Sequence, residues 1–194
     1  MPSPQLSSKS AGAKLKVLIP EEQIQARIRE MARQIEADYP SGPIYMIGIL
    51  KGACFFLSDL VRKIDRPVRI DFIGTSSYAQ GTRSSGEVKL TKDLDVVIEG
   101  ADVILVEDIV DTGITLNYLR KVLLQRKPRS LRIATLLDKP ERRVRPIDVS
   151  YCGFTIPNHF VVGFGLDYAE DYRHLRDVCV IEEEPAVISA SGLA

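Results

Sequence analysis

Stretches that repeat their apolar residues every three to four positions alternate along the chain with short runs that are apolar throughout. Ile24, Ile28, Met31 and Ile35 recur at helical spacing behind Pro20-Glu21-Glu22, where a proline and two acids suit a first turn. Tyr39-Pro40-Ser41-Gly42-Pro43 ends that pattern. Ile44 to Leu50 then reads Ile-Tyr-Met-Ile-Gly-Ile-Leu, a run of strand length with no polar face, which predicts a strand buried on both sides. Lys51-Gly52 breaks the run, Leu57, Leu60, Val61 and Ile64 mark a second helix, and Val68 to Phe72 alternates as a strand with one wet face. Val103 to Val106 is another buried strand, followed by a helix carrying Leu116, Leu119, Val122 and Leu123 and by a third core strand at Leu131 to Leu137. Short strands are expected over 149–154, 160–164 and 178–181. Strands and helices in alternation, with the strands buried on both faces, predict an α/β fold built on a parallel sheet.

Two stretches carry almost nothing to bury. Gly74 to Gly86 is rich in Gly, Ser and Thr and reads as a long mobile loop, with Val88-Lys89-Leu90 returning from it as a partner strand. Loops of that length inside compact domains usually serve as lids or binding loops. Residues 1–13, rich in Ser, Pro and Lys and lacking an apolar core of signal-peptide type, read as a disordered tail. Residues 14–194 show no internal repeat and no dividing linker, so one domain is expected.

Composition narrows the function. The 194 residues include 26 Lys plus Arg against 26 Asp plus Glu, so the formal charge is zero, without the basic excess typical of nucleic-acid or membrane-surface binding. No apolar run approaches the roughly 20 residues of a spanning helix. Cys54, Cys152 and Cys179 are odd in number and widely separated, which disfavours a disulfide framework or a structural zinc site and fits a cytoplasmic chain.

The densest chemical signal is Val103-Ile104-Leu105-Val106-Glu107-Asp108-Ile109-Val110-Asp111-Thr112-Gly113-Ile114-Thr115. It reads as a buried strand, two carboxylates at its carboxyl end, a short polar loop and a helix start. Ligands of open α/β sheets bind at the carboxyl ends of strands. Asp111 to Thr115 offers backbone N–H groups, a flexible glycine and two hydroxyls at a helix N-terminus, which together make a phosphate cradle. Asp and Thr also serve as ordinary helix caps. Two acids joined to the cradle directly behind an apolar run favour a site, because adjacent carboxylates suit sugar hydroxyls or a hard cation such as Mg²⁺ carried in with a phosphorylated substrate. Neither G-x-x-x-x-G-K-[ST] nor a strand followed by G-x-G-x-x-G is present, which excludes a Walker-type NTPase and a typical dinucleotide fold.

Residues 106–115, Val-Glu-Asp-Ile-Val-Asp-Thr-Gly-Ile-Thr, resemble the phosphoribosyl-diphosphate (PRPP) motif of the type I phosphoribosyltransferases. Leu50-Lys51-Gly52 resembles the pyrophosphate loop of the hypoxanthine-guanine branch of that family, and Ser77-Tyr78 its flexible lid. Lys139 is similar to its purine-reading lysine, Phe160-Val161-Val162-Gly163 and Leu166-Asp167-Tyr168 to its base-stacking and metal segments, and Arg173 to the arginine that follows. The resemblance runs in order from about residue 16 to 182. It implies a central, mostly parallel sheet flanked by helices, a small hood formed by the terminal segments and a mobile lid loop, with a non-proline cis peptide in the pyrophosphate loop.

The resemblance also implies a reaction, purine base plus PRPP giving nucleoside monophosphate and pyrophosphate, and Mg²⁺ as cofactor. Asp111 becomes the general base or acid near the purine N7. Thr112, Gly113, Ile114 and Thr115 hold the 5′-phosphate, and Glu107 and Asp108 take the ribose hydroxyls and help organise Mg²⁺. Asp167 holds a second Mg²⁺, Lys51, Gly52 and Arg173 meet the pyrophosphate, and Ser77 and Tyr78 close over it. Lys139 reads the 6-oxo group while Phe160 and Val161 flank the base. A homodimer or homotetramer is implied, with no nucleic acid and no membrane partner. From the residues alone, Lys139 also reads as a surface lysine, Phe160 as core and Asp167 as a turn cap. Arg142-Arg143-Val144-Arg145 reads most simply as a solvated face, and His159 and His174 fall in no motif. The competing function is a regulator that keeps the same fold to sense PRPP or a nucleotide. Such a protein could lose its acids, yet Glu107, Asp108 and Asp111 are all present.

Overall fold

The computed structural model describes residues 14–77 and 88–182. Its elements follow the alternation in the sequence. Strand β1 (Lys14–Ile19) leads into helix α1 (Glu21–Asp38), then β2 (Ile44–Leu50), α2 (Ala53–Val61), β3 (Val68–Ser77) and β4 (Val88–Lys92). Strand β5 (Asp102–Val110), helix α3 (Ile114–Leu124) and β6 (Ser130–Asp138) follow, and a 3₁₀ turn over Pro140–Arg142 precedes β7 (Tyr151–Thr155), β8 (Val161–Val162) and β9 (Val178–Glu182).

Six strands form one sheet in the order β4-β3-β2-β5-β6-β7, parallel except for β4 at one edge. The apolar runs explain the order, because β2 and β5 bury both faces and take the centre. Ile44 and Met46 of β2, with Ile104 and Val106 of β5, pack toward α1 and α2, meeting Ile28, Met31, Phe56 and Leu60. Ile47, Ile49, Val103 and Leu105 pack on the opposite face, where Leu116, Leu119 and Leu123 of α3 cover them. A helical layer on each side removes both faces from water, as a doubly buried parallel sheet requires. No helix among the described residues is long and apolar enough to cross a membrane.

A second, antiparallel sheet of order β1-β9-β8 joins the start of the described chain to its end. It matches the hood of terminal segments, although β1 itself carries no sequence signal. Most of its residues are exposed or half-buried; it pairs with β9 and reaches the core only at Leu18 and Ile19.

Three boundaries differ from the sequence reading. The loop expected from Gly74 begins later, since Gly74 to Ser77 continue β3 and pair with β4 from Lys92 back to Val88. Ladder hydrogen bonds to a neighbouring strand satisfy these polar residues without burial. Tyr78 and the remainder of the expected lid lie outside the described residues, as does the tail 1–13. Strand β5 runs on to Val110, so Glu107 and Asp108 are strand residues paired beside β6 rather than residues beyond the strand. Phe160 precedes β8, which is confined to Val161–Val162.

Candidate active site

The carboxyl ends of β2 and β5 and the start of α3 enclose a cavity of about 300 Å³. Lys51, Gly52, Glu107, Asp108, Asp167 and Arg173 stand in its wall beside the Asp111–Thr115 segment. The sequence thus scatters these residues over more than a hundred positions, and the parallel sheet gathers them at one edge. A second cavity of about 590 Å³ adjoins the first and shares Asp108, Ile109, Asp111 and Asp167 with it. Lys139, Phe160 and Val161 line this second space.

The loop into α3 is fixed by its glycine. Gly113 has φ of 78°, the left-handed region that favours glycine, and a Cβ there would lie 2.4 Å from the Arg145 carbonyl oxygen. The Thr112 carbonyl accepts from the N–H groups of Val144 and Arg145, at 3.0 Å each, so the Asp111 loop is tied to the chain that follows β6. The first N–H groups of α3 lack intrahelical partners and carry the positive end of the helix dipole, the requirement for holding a phosphate. Thr112, Gly113 and Thr115 line the first cavity, and Ile114 opens the helix.

Opposite stands the loop after β2. The Leu50–Lys51 peptide is cis. A Cβ on Gly52 would sit 1.6 Å from Asp108 Oδ2, so the glycine leaves the space into which the carboxylate points. Asp108 Oδ1 accepts from the Ile109 N–H at 2.7 Å, and Glu107 Oε1 from the Asp108 N–H at 3.2 Å. Both acids are half-buried at the cavity floor. Burial pushes the Glu107 carboxyl well above its usual range, and the neighbouring charge of Asp108 adds to the effect. Burial also raises Asp108, against hydrogen bonds from Glu107 and the Ile109 N–H and the charge of Arg173. Burial thus raises the proton affinity of both carboxyls, and their closeness links the two titrations.

The other charged groups are paired with one another. Lys51 Nζ meets Glu170 Oε2 at 2.8 Å. Arg173 NH2 lies 2.8 Å from Asp167 Oδ1 and 3.5 Å from Glu170 Oε1, while its NH1 donates to the Gly165 carbonyl at 2.8 Å. Asp167 Oδ2 accepts from the Glu170 N–H at 2.9 Å. The hydrogen bond and charge of Lys51 hold the Glu170 carboxyl below the usual range. Asp111 Oδ1 accepts from Arg142 Nε at 2.7 Å, and the Asp111 carbonyl accepts from Arg143 NH1 at 2.8 Å.

Several sequence readings are decided by these contacts. Arg142 and Arg143 are not merely part of a solvated face: the 3₁₀ turn folds them back over the Asp111 loop, and Arg143 also pairs with Asp138. Lys139 is no surface lysine, being 7% exposed with Nζ donating to the His159 carbonyl. Burial pushes its proton affinity down, with the Asp111 charge acting in the opposite direction. Phe160 is not core, since 55% of it is exposed and its ring stands edge-on to Tyr168 with centroids 5.6 Å apart. Ser77 ends β3, and its side chain lies outside the described set. Sequence reasoning missed Glu170, which follows Leu166-Asp167-Tyr168 in no recognisable pattern and reaches Lys51 only through a turn with positive φ at Ala169 and Glu170. Among the described residues no three His, Cys, Asp or Glu side chains gather into a metal centre.

The acidic pair makes stability depend on pH. Glu107 binds its proton more tightly in the folded protein than in the unfolded chain, so its contribution is fully present below its ordinary value and is lost as pH rises through the folded one. In EDTA, Glu107→Gln is expected to raise the melting temperature at pH 8 by about 2–4 °C, the shift that roughly 1 kcal/mol produces in a chain of this size. The gain should shrink toward pH 4.5. A lower melting temperature for the variant at pH 8 would show that the pair is stabilising as it stands.

The arrangement has known counterparts. The phosphoribosyl transferase domain model matches residues 20–169. A hypoxanthine-guanine phosphoribosyltransferase of Streptococcus agalactiae is 51% identical over 169 residues, 87% of this chain and 94% of that protein. The bifunctional protein TilS/HprT of Listeria innocua is 48% identical over 169 residues, 87% of this chain and only 26% of that longer protein. The crystal structure of a hypoxanthine-guanine phosphoribosyltransferase from Bacillus anthracis, with a HEPES molecule in its active site, superposes with a TM-score of 0.84 at 47% identity, covering 88% of this chain and all of that one. With the cradle, the cis-peptide loop and the acidic pair in one cavity, these matches place the chain in the phosphoribosyltransferase family, in its hypoxanthine-guanine branch.

Proposed function

We propose that the chain transfers the phosphoribosyl group of PRPP to hypoxanthine or guanine, giving IMP or GMP and pyrophosphate, as an enzyme of purine salvage. The observation that carries this reading is the pair of adjoining cavities that share Asp111. One is walled by cations, carboxylates and a helix start; the other holds a buried lysine and an exposed aromatic ring. A diphosphorylated sugar suits the first and a flat base suits the second, with the new bond forming at their junction.

Each residue then has a task. The start of α3 at Thr112, Gly113, Ile114 and Thr115 takes the 5′-phosphate. Glu107 and Asp108 accept from the ribose hydroxyls. Lys51, the Gly52 backbone and Arg173 receive the pyrophosphate, whose developing charge a cationic clamp stabilises. Phe160 offers a face to the base and Val161 an apolar wall. Lys139 donates to a 6-oxo group; an ammonium has no acceptor for the amino group of adenine. Asp111 exchanges a proton with the base nitrogen after it has left Arg142. Ser77 and Tyr78 belong to the segment that closes over the diphosphate and keeps water from the activated sugar.

Glu107 and Asp108 fit a hard divalent cation, since they stand side by side at one cavity wall and offer only oxygen donors. They, and Asp167 for a second ion, would hold Mg²⁺, which neutralises charge on the departing pyrophosphate.

The test is nucleotide formation from PRPP and, separately, hypoxanthine, guanine, adenine and uracil, with and without EDTA. Product from the 6-oxopurines alone, lost in EDTA, is expected. Asp111→Asn should retain PRPP binding and slow turnover by about 10²- to 10⁴-fold, the usual contribution of a general base. Binding of PRPP by the native protein without any product would instead favour a sensor. A second variant tests the floor of the site: Gly52→Ala pushes the Asp108 carboxylate from its place, and PRPP affinity should fall about tenfold or more while the fold persists. Unchanged affinity would remove Asp108 from the sugar site.

A further inference from the structure

The Lys51 and Arg173 clamp is already occupied from within. Glu170 spans it, with Oε2 2.8 Å from Lys51 Nζ and Oε1 3.5 Å from Arg173 NH2. The two oxygens of one carboxylate thus face the two cations that the proposed function assigns to pyrophosphate. The contacts divide the local acids into a fixed one and a free one. Asp167 uses one oxygen on Arg173 and the other on the Glu170 N–H, which closes the turn, and its side chain is 30% exposed. The side chain of Glu170 is 65% exposed and that of Lys51 67%, so this contact can open into water at little cost. Arg173 stays anchored meanwhile through Asp167 and the Gly165 carbonyl.

We propose that Glu170 is an internal stand-in for the diphosphate, a carboxylate that fills the cationic clamp whenever no diphosphate is bound, gives way when one enters and returns when it leaves. This assignment rests on the pyrophosphate reading of the first cavity. Its consequence is a site that rejects weaker anions and releases pyrophosphate more readily than two unpaired cations would. A residue whose only task was to position Lys51 has the opposite sign, because its loss would weaken anion binding.

The sign is read by titrating magnesium pyrophosphate calorimetrically into the whole protein, into Glu170→Gln and into Asp171→Asn. Asp171 carries the same charge one residue further and is bonded through its backbone to Tyr168, so it controls for net charge. Glu170→Gln is expected to bind pyrophosphate about 2- to 5-fold more tightly than both others, the size of an exposed ion pair, and the gap should close as NaCl is raised. Equal or weaker binding by Glu170→Gln, with the native protein binding normally, overturns the stand-in role and leaves the pyrophosphate site intact. Absence of binding in all three proteins overturns the stand-in role together with the pyrophosphate reading.

Discussion

Everything at this site depends on two adjacent carboxylates placed near the end of a strand that is packed on both faces and paired on both edges. Strand β5 is buried on both faces between α1 and α2 on one side and α3 on the other, and it is hydrogen-bonded to β2 and β6. Those contacts position Glu107 and Asp108. Burial penalises the ionisation of both, and the charge of Asp108 adds to the penalty on Glu107, so the pair favours a cation, a proton or a donor-rich ligand beside it. Gly52 exists where it does because any side chain would claim the space of the Asp108 carboxylate.

The rest of the site meets the same difficulty by pairing with itself. Lys51 finds Glu170, Arg173 finds Asp167, and Asp111 finds Arg142. Lys51, Arg173 and Asp111, three of the groups proposed to meet PRPP or the base, thus each have an internal counter-charge. The exposed pairs Lys51–Glu170 and Asp111–Arg142 are individually weak, which is what an exchangeable arrangement requires. The acidic pair differs: the two carboxyls lie half-buried side by side, and burial raises the proton affinity of both, which the charge of Arg173 opposes at Asp108. The site is thus prepared as a set of exchanges rather than as open charges.

Much of this was legible in the sequence, for a physical reason in each case. Runs such as Ile44 to Leu50 declare themselves because strands buried on both faces admit few polar residues, and α1 shows because its apolar stripe repeats at Ile24, Ile28, Met31 and Ile35. The Glu107–Thr115 segment is local, so one stretch of chain carries most of its geometry. The strand β1, the end of β3 and the Glu170 and Arg142 contacts were not legible. They arise from a partner strand or from a turn that returns the chain, and neither leaves a periodicity. Lys139 shows the limit well, since nothing near Pro140 separates a buried lysine from the common exposed one until β6 and the His159 carbonyl enclose it.

The central claim is that substrate charges replace internal ones. A crystal structure of the protein with Mg²⁺, pyrophosphate and GMP tests it most directly. The account predicts Lys51 and Arg173 on the diphosphate with Glu170 turned away into solvent, Arg142 separated from Asp111, and Glu107 and Asp108 facing a cation or the ribose hydroxyls. A bound complex in which the Lys51–Glu170 and Arg142–Asp111 pairs both persist would contradict it.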